Sequence, residues 1–299
     1  MDSNTSSLTS IATLRTENVK PLNLLVFQTD FTYKEGAVAA MYGVVRSVSR
    51  DVEIITATHE LPQYDIWSAS YRLMQYLRFW PKGTVFVSVV DPGVGTSRKA
   101  CCALTKDGYY IFTPDNGTLT HVEQVHGIRE IREIDESINM LKTDLRSCVF
   151  HGRDLFGYCA ARLAAGIITY DQVGSAYDPR EIVRLAIQEP VITKGKATGI
   201  LEIIDPNFGN VWTNIPTNDF VKAGFSQGDM VHVILRHGEE LLYGRDTLFA
   251  RTFADVDKGE TLIYNNELMH ISLAINQGNF LATYHAGHGS EYHIEFMKK

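Results

Sequence analysis

No run of eighteen or more apolar residues occurs in the chain, so no segment reads as a membrane-spanning helix and no membrane partner is expected. The first residues, MDSNTSSLTSIATLRTENVK, lack the apolar stretch of a secretory signal, and a flexible polar tail is expected over 1–20. Cysteine is scarce. Cys101, Cys102, Cys148 and Cys159 are the only four in 299 residues and show no CxxC spacing. That pattern suggests neither a disulfide framework nor a zinc ribbon, and it fits reduced thiols in a cytoplasmic setting. Positive charge is also in deficit: 28 Lys and Arg face 35 Asp and Glu, a formal net charge of −7, and no long basic cluster appears. Nucleic-acid binders carry a basic patch, so no nucleic-acid partner is expected. The phosphate-loop signature GK[ST] and the dinucleotide fingerprint GxGxxG are both missing, which weakens any nicotinamide or flavin reading.

What is present suffices for two ordinary globular domains, with 44% hydrophobic and 21% charged residues. NLLVFQ (23–28), VEIITA (52–57) and TVFVSVV (84–90) read as buried strands. Between them AVAAMYGVVRSV (37–48) and IWSASYRLMQYLRFW (66–80) carry apolar residues at helical spacing, as does RDLFGYCAARLAAG (153–166). This alternation predicts an α/β N-terminal domain over 21–182 with a mostly parallel central sheet covered by helices. Texture changes to turns and mixed polar residues around 174–196. Beyond it TGILEIID, NVWTNI, DMVHVILRH, ETLIYN and HISLAI alternate with Gly, Asn and Asp turns, which predicts an all-β C-terminal barrel domain over 190–299.

Ligands of parallel α/β sheets bind at the carboxyl ends of the strands, so the polar residues just after each apolar run come first. Thr29-Asp30-Phe31, ATHELPQYD with His59, Tyr64 and Asp65, and DPGVGTSR from Asp91 to Arg98 stand there. An Asp in such a place equally serves as a helix cap or turn residue. FHGRD puts His151 just before a helix, where it either contributes to a site or caps that helix.

Taken together, VVDPGVGTSR, PDNG (114–117), FHGRDLF and DPNFGNVWTNI (205–215) resemble the S-adenosylmethionine hydroxide adenosyltransferase family, relatives of fluorinating and chlorinating enzymes that attack the same sulfonium substrate. The resemblance runs from about 23 to about 282. It implies hydrolysis of S-adenosylmethionine to adenosine and methionine without cofactor or metal, and a homotrimer whose active sites lie between one subunit's first domain and its neighbour's second. It also implies Asp91, Arg98 and His151 as the water-handling catalytic set. Halide-using relatives replace that Asp with an aromatic residue and lack the His, so this chain points to water. Halide-dependent adenosyl transfer and a non-catalytic S-adenosylmethionine or adenosine binding protein stand as alternatives. A methyltransferase is disfavoured by the missing glycine-rich loop after the first strand.

The same resemblance implies Asp30 on the ribose hydroxyls, and Tyr64 and Asn116 among the substrate-binding residues. It puts Asp205, Phe208, Asn210 and Trp212 along the adenine and methionine side and Phe253 against adenine, with ordinary barrel core the alternative for Trp212 and Phe253. Three positions depart from the family pattern. Glu35 stands where a shorter acid is usual, Glu267 replaces a small hydroxyl residue at the methionine end, and Phe280 replaces a small residue. His285, His288 and His293 match no helical zinc spacing and are expected in a solvated tail, while Cys101 and Cys102 are expected to pack in a strand.

Overall fold

The computed structural model describes residues 23–142 and 149–299; the expected tail over 1–20 and Cys148 lie outside them. Contacts divide the chain between Leu185 and Ala186. In the first unit the apolar runs form β1 (Leu24–Thr29), β2 (Glu53–Thr58) and β3 (Val85–Val89), joined by the crossover helices α1 (Ala37–Val48) and α2 (Ile66–Leu77). Every residue of β1 and β3 is buried, as strands covered on both faces require. Helix α1 turns Val38, Met41, Val44 and Val45 inward at three-to-four spacing. Helix α2 starts where the Asp65 carboxylate accepts from Ser68 N at 2.9 Å, and it stops at Leu77, short of the expected residue 80.

Next come β4 (Ala100–Thr105), β5 (Tyr110–Pro114), α3 (Thr120–His126), β6 (Ile128–Glu133) and the short α4 (Glu136–Asn139). A π-helical turn over Gly152–Gly157 runs into α5 (Tyr158–Ala164), and β7 (Ala176–Tyr177) completes the sheet. The strand order is β2-β1-β3-β5-β4-β6-β7, parallel from β2 to β5 and antiparallel beyond. Phe27, Met41, Phe112 and Phe156 fill one side of this core; Leu73, Leu77, Phe86 and Val122 fill the other. The uniform helix expected over 153–166 is corrected: its first part is a π turn. Glycines flank it, and a Cβ on Gly157 would stand 3.0 Å from the Gly152 carbonyl, so the wide turn relies on the missing side chain.

The second unit holds β8 (Val191–Thr193), β9 (Lys196–Asp205), β10 (Asn210–Pro216), α6 (Thr217–Lys222), β11 (Met230–His237) and β12 (Glu240–Phe249). It ends with β13 (Thr261–Asn265), β14 (His270–Ile275), α7 (Phe280–Tyr284) and β15 (Gly289–Lys298). The order β10-β14-β13-β12-β11-β15-β9 closes on itself through β9–β10 pairing, and β8 adds to the far side of β9. This is a closed barrel, filled by Val211, Val233, Leu235, Ile263, Leu273 and Phe296. The solvated-tail expectation is half right for His293: its side chain is exposed, but the residue belongs to a strand and not to a tail. It lies in β15 opposite Arg236 and Ile200, because the neighbouring Ile294 and Phe296 belong to the barrel interior. Phe280 is likewise interior, packed on Tyr243 and Tyr284. Among the described residues no helix is long and apolar enough to cross a membrane.

Candidate active site

The parallel half of the first sheet sends its carboxyl ends the same way, and each end delivers a polar side chain. Thr29 of β1 pairs with Val89 of β3, so Asp30 and Asp91 leave adjacent strands at nearly matched positions. His59 follows β2, and Asp115 and Asn116 follow β5. The Asn116 amide donates to the Val90 carbonyl at 2.9 Å and its oxygen accepts from the Thr118 hydroxyl at 2.8 Å, which ties the β5 turn to the β3 end.

From Asp91 the chain doubles back through two tight turns. Val94 N donates to the Asp91 carbonyl at 3.3 Å, Thr96 N to the Gly93 carbonyl at 3.1 Å, and Gly95 takes the left-handed conformation (φ 79°) that a side chain would disfavour. The return brings Arg98 onto Asp91. Arg98 Nε lies 3.1 Å from both carboxylate oxygens and Nη2 lies 2.6 Å from Oδ2, with 10% and 6% of the two side chains exposed. The same Nη2 reaches His151 Nδ1 at 2.9 Å, and the guanidinium lies 5.4 Å from the centre of the Phe156 ring.

An arginine only donates, so His151 Nδ1 must present a lone pair to it. The imidazole is then the neutral tautomer with its proton on Nε2. His151 occupies the residue before the π turn but makes no side-chain capping bond, so the capping alternative is excluded. Its placement comes from Phe31 and Gly152. Phe31 packs edge-on against Phe150 at 5.7 Å, and a Cβ on Gly152 would stand 2.9 Å from the Phe31 ring, so only glycine admits this approach.

Asp30 is buried, and Oδ2 accepts from Tyr64 N at 2.9 Å. Burial raises its pKa, the Tyr64 amide opposes that, and the negative charge of Asp91 adds to it. The backbone of Tyr64 is left-handed (φ 64°) while its ring is exposed. Glu35 sits apart from these groups in role: exposed, it accepts from Ala37 N at 3.1 Å at the start of α1. His59, singled out in the sequence at the β2 strand end but given no role there, is fully buried.

In the second unit Asp205 ends β9, and its carbonyl and carboxylate hold the tight turn to β10 through Gly209 N and Phe208 N, leaving the Phe208 ring exposed. Trp212 is buried and alternates with the interior residue Val211, outside the cluster of side chains that fills the barrel. Trp212 and Tyr264 both pair with Ser272 in one cross-strand row, and the indole N–H donates to the Tyr264 hydroxyl at 3.1 Å. Phe253 packs on Tyr264 at 5.0 Å. Burial pushes the Tyr264 hydroxyl up to about 12, the Trp212 bond works against this, and Asp205 charge adds to it, so Asp205, Trp212, Phe253 and Tyr264 form one neighbourhood beside buried Asn210. Sequence reading missed Tyr264, although the period-two alternation of ETLIYN sets it on the face opposite Ile263. Glu267 lies exposed in the turn between β13 and β14, whose fold is held by Asn266 Oδ1 accepting from Leu268 N and His270 N.

Residues 25–174 match the SAM hydroxide adenosyltransferase N-terminal domain, and residues 199–293 match the SAM hydroxide adenosyltransferase C-terminal domain. The chain belongs to the SAM hydroxide adenosyltransferase family. It is 32% identical over 221 residues to an (R)-S-adenosyl-L-methionine hydrolase from Methanocaldococcus jannaschii, spanning 72% of this chain and 74% of the relative. A Salinispora tropica protein of the same name is 31% identical over 86% of this chain and 92% of its own. A fluorinase from an Actinoplanes species is 28% identical over 85% and 91%. Among solved structures, an uncharacterized conserved protein from Thermotoga maritima superposes with a TM-score of 0.81 at 34% identity, covering 92% of this chain and 100% of that one. The relatives of this chain thus carry both hydrolase and fluorinase names. The Asp91–Arg98–His151 set and Asp30 fall within the first matched domain, and the Trp212–Tyr264 neighbourhood falls within the second.

Proposed function

We propose that this member of the SAM hydroxide adenosyltransferase family hydrolyses S-adenosylmethionine to adenosine and L-methionine through attack of water at the ribose C5′. The observation that carries the reading is the single arginine bonded at once to a buried carboxylate and a histidine nitrogen. The sulfonium leaves as neutral methionine and needs no general acid, so the burden falls on the nucleophile. Asp91 accepts the proton that the attacking water gives up as its oxygen bonds to C5′ and the C5′–S bond breaks, the His151 Nε2–H supplies a donor that fixes the water's orientation, and Arg98 offsets the developing hydroxide charge. Asp30 accepts from the ribose hydroxyls, while Asp205, Phe208, Asn210, Trp212 and Phe253 serve the adenine and methionine portions. A homotrimer, which brings the substrate residues of the two units to one ligand across neighbouring subunits, and a cytoplasmic location belong to the same proposal. Cys101, Cys102 and Cys159 are buried free thiols, in keeping with a reducing compartment.

Purified protein incubated with S-adenosylmethionine, with and without fluoride or chloride, tests the reading by chromatography of the products. Equal amounts of adenosine and methionine, unchanged by halide and lost in Asp91→Ala, are expected. A 5′-halo-adenosine would replace it with the reaction implied by the name of the fluorinase relatives, and bound ligand without product would replace it with a binding protein.

A further inference from the structure

His59 lies directly behind Asp30, and both its ring nitrogens are engaged. Nδ1 lies 2.8 Å from the Thr29 hydroxyl and Nε2 lies 2.8 Å from the Tyr42 hydroxyl of α1. Tyr42 in turn shares a hydrogen bond with Thr56, which also accepts from Tyr33 at 3.0 Å, and the Tyr33 ring meets the imidazole edge-on at 5.1 Å. Burial pushes His59 down to about 4, so the ring is neutral across the range in which an enzyme is assayed.

Thr29 and its neighbours are bonded across to the loop that follows β2, and that loop reaches the carboxylate through Tyr64. The Thr29 hydroxyl accepts from Phe31 N at 3.1 Å, Thr32 N donates to the His59 carbonyl at 2.7 Å, Leu61 N to the Thr29 carbonyl at 3.3 Å, and Tyr64 N to Asp30 itself. Residues 29–32 and 59–64 are thereby stitched into one unit around Asp30. Two of them are strained: Thr32 at φ 57° and Tyr64 at φ 64° hold left-handed conformations without being glycine. Such backbone persists only where surrounding bonds over-determine it. His59 joins this unit through Nδ1 at Thr29, with the ring itself seated against α1 by Tyr42.

We infer that His59 is a positioning residue: through Thr29 it fixes the turn that aims the Asp30 carboxylate at the ribose diol of the substrate, without touching substrate itself. The inference rests on the role given to Asp30 in the proposed hydrolysis.

Adenosine titrated calorimetrically into the full-length protein and its variants separates the two. Asp30→Asn measures the Asp30 role, while His59→Phe and Thr29→Val break the relay from either side. The last is nearly isosteric and guards against loss of folding. Each relay variant is expected to weaken adenosine binding about tenfold, and to raise the KM for S-adenosylmethionine by a similar factor with kcat within about threefold, because a displaced carboxylate loses its grip but not the water-handling set. His59→Asn, whose amide occupies the Nδ1 position, should bind within about threefold of the parent, whereas His59→Gln, whose amide reaches the Nε2 position, should behave like His59→Phe. A purely structural role predicts no such split between two similarly sized amides. If Asp30→Asn weakens adenosine but Thr29→Val and His59→Phe do not, or if Asn and Gln are equivalent, the positioning inference is overturned and the Asp30 role stands. If Asp30→Asn binds adenosine as the parent does, the Asp30 role fails and takes the inference with it.

Discussion

Replacing Asp91 with Asn removes a charge and almost no volume, and its consequences for stability and for activity should part company. Arg98 would keep one acceptor oxygen, but its charge would remain in a place where only 10% of the side chain meets solvent. Breaking a buried ion pair from one side costs about 3–5 kcal/mol because the survivor is left uncompensated. With a retained oxygen acceptor the lower end applies, which corresponds to a fall in Tm on the order of 10 °C. Activity should fall roughly a hundredfold to ten-thousandfold, the range for losing a positioned general base. The informative comparison is with the double variant Asp91→Asn/Arg98→Met, in which the stranded charge is gone. It should regain stability relative to Asp91→Asn while regaining no turnover, since an apolar replacement of a buried pair is often neutral for folding. Thermal unfolding and adenosine release measured on the same samples decide this. A double variant less stable than the parent by the sum of the two single-variant losses would refute the coupling read from the geometry, and Asp91→Asn activity within tenfold of the parent would remove Asp91 as the base.

Asp30→Asn should raise Tm at neutral pH while weakening substrate binding: a carboxyl whose folded pKa exceeds its unfolded value is most stable protonated, and that stability is lost as pH rises through the folded value. Unchanged Tm would argue against burial as the cause. Glu202, buried in β9 and pushed up to about 7 by burial, with the charge of Glu189 adding, follows the same sign. The parent should lose on the order of a few kcal/mol between the ordinary carboxylate range and pH ~7, and Glu202→Gln should flatten that slope in denaturant unfolding at stepped pH. Gly152→Ala drives a methyl to 2.9 Å from the Phe31 ring, so a loss of about 1–3 kcal/mol is expected, with turnover falling further than stability because His151 is the adjacent residue. Equal activity per folded molecule would show that His151 is placed by something else.

The layout of both units is legible where burial is one-sided or complete: β1 and β3 announce themselves as unbroken apolar runs, and the barrel strands by their alternation. Strands escape notice where the outward face is charged. IREIRE in β6 reads as a polar segment, and in β12 the Gly244-Arg245-Asp246 stretch imitates a turn although it runs through the ladder with β11. Site residues follow the same logic. Asp30, Asp91 and Arg98 stand at strand ends or in the turn beyond one, and local sequence exposes them. Tyr264 and His59 matter through partners on other elements, Trp212 across β14 and Tyr42 on α1, and such pairings depend on register that no short motif encodes. The π turn is invisible in the sequence because its residues carry a perfectly good helical pattern.

That turn has a consequence for how the chemistry could be lost. A π turn is an α turn carrying one residue more, and each residue of an α-helix rotates the chain by about 100°. Deleting a single residue between Gly152 and Gly157 would let the segment relax into continuous α-helix and swing His151 away from the Arg98 guanidinium, with the active-site side chains themselves all still encoded. The proposed reaction is therefore one codon from silence at a place where none of Asp91, Arg98 and His151 sits.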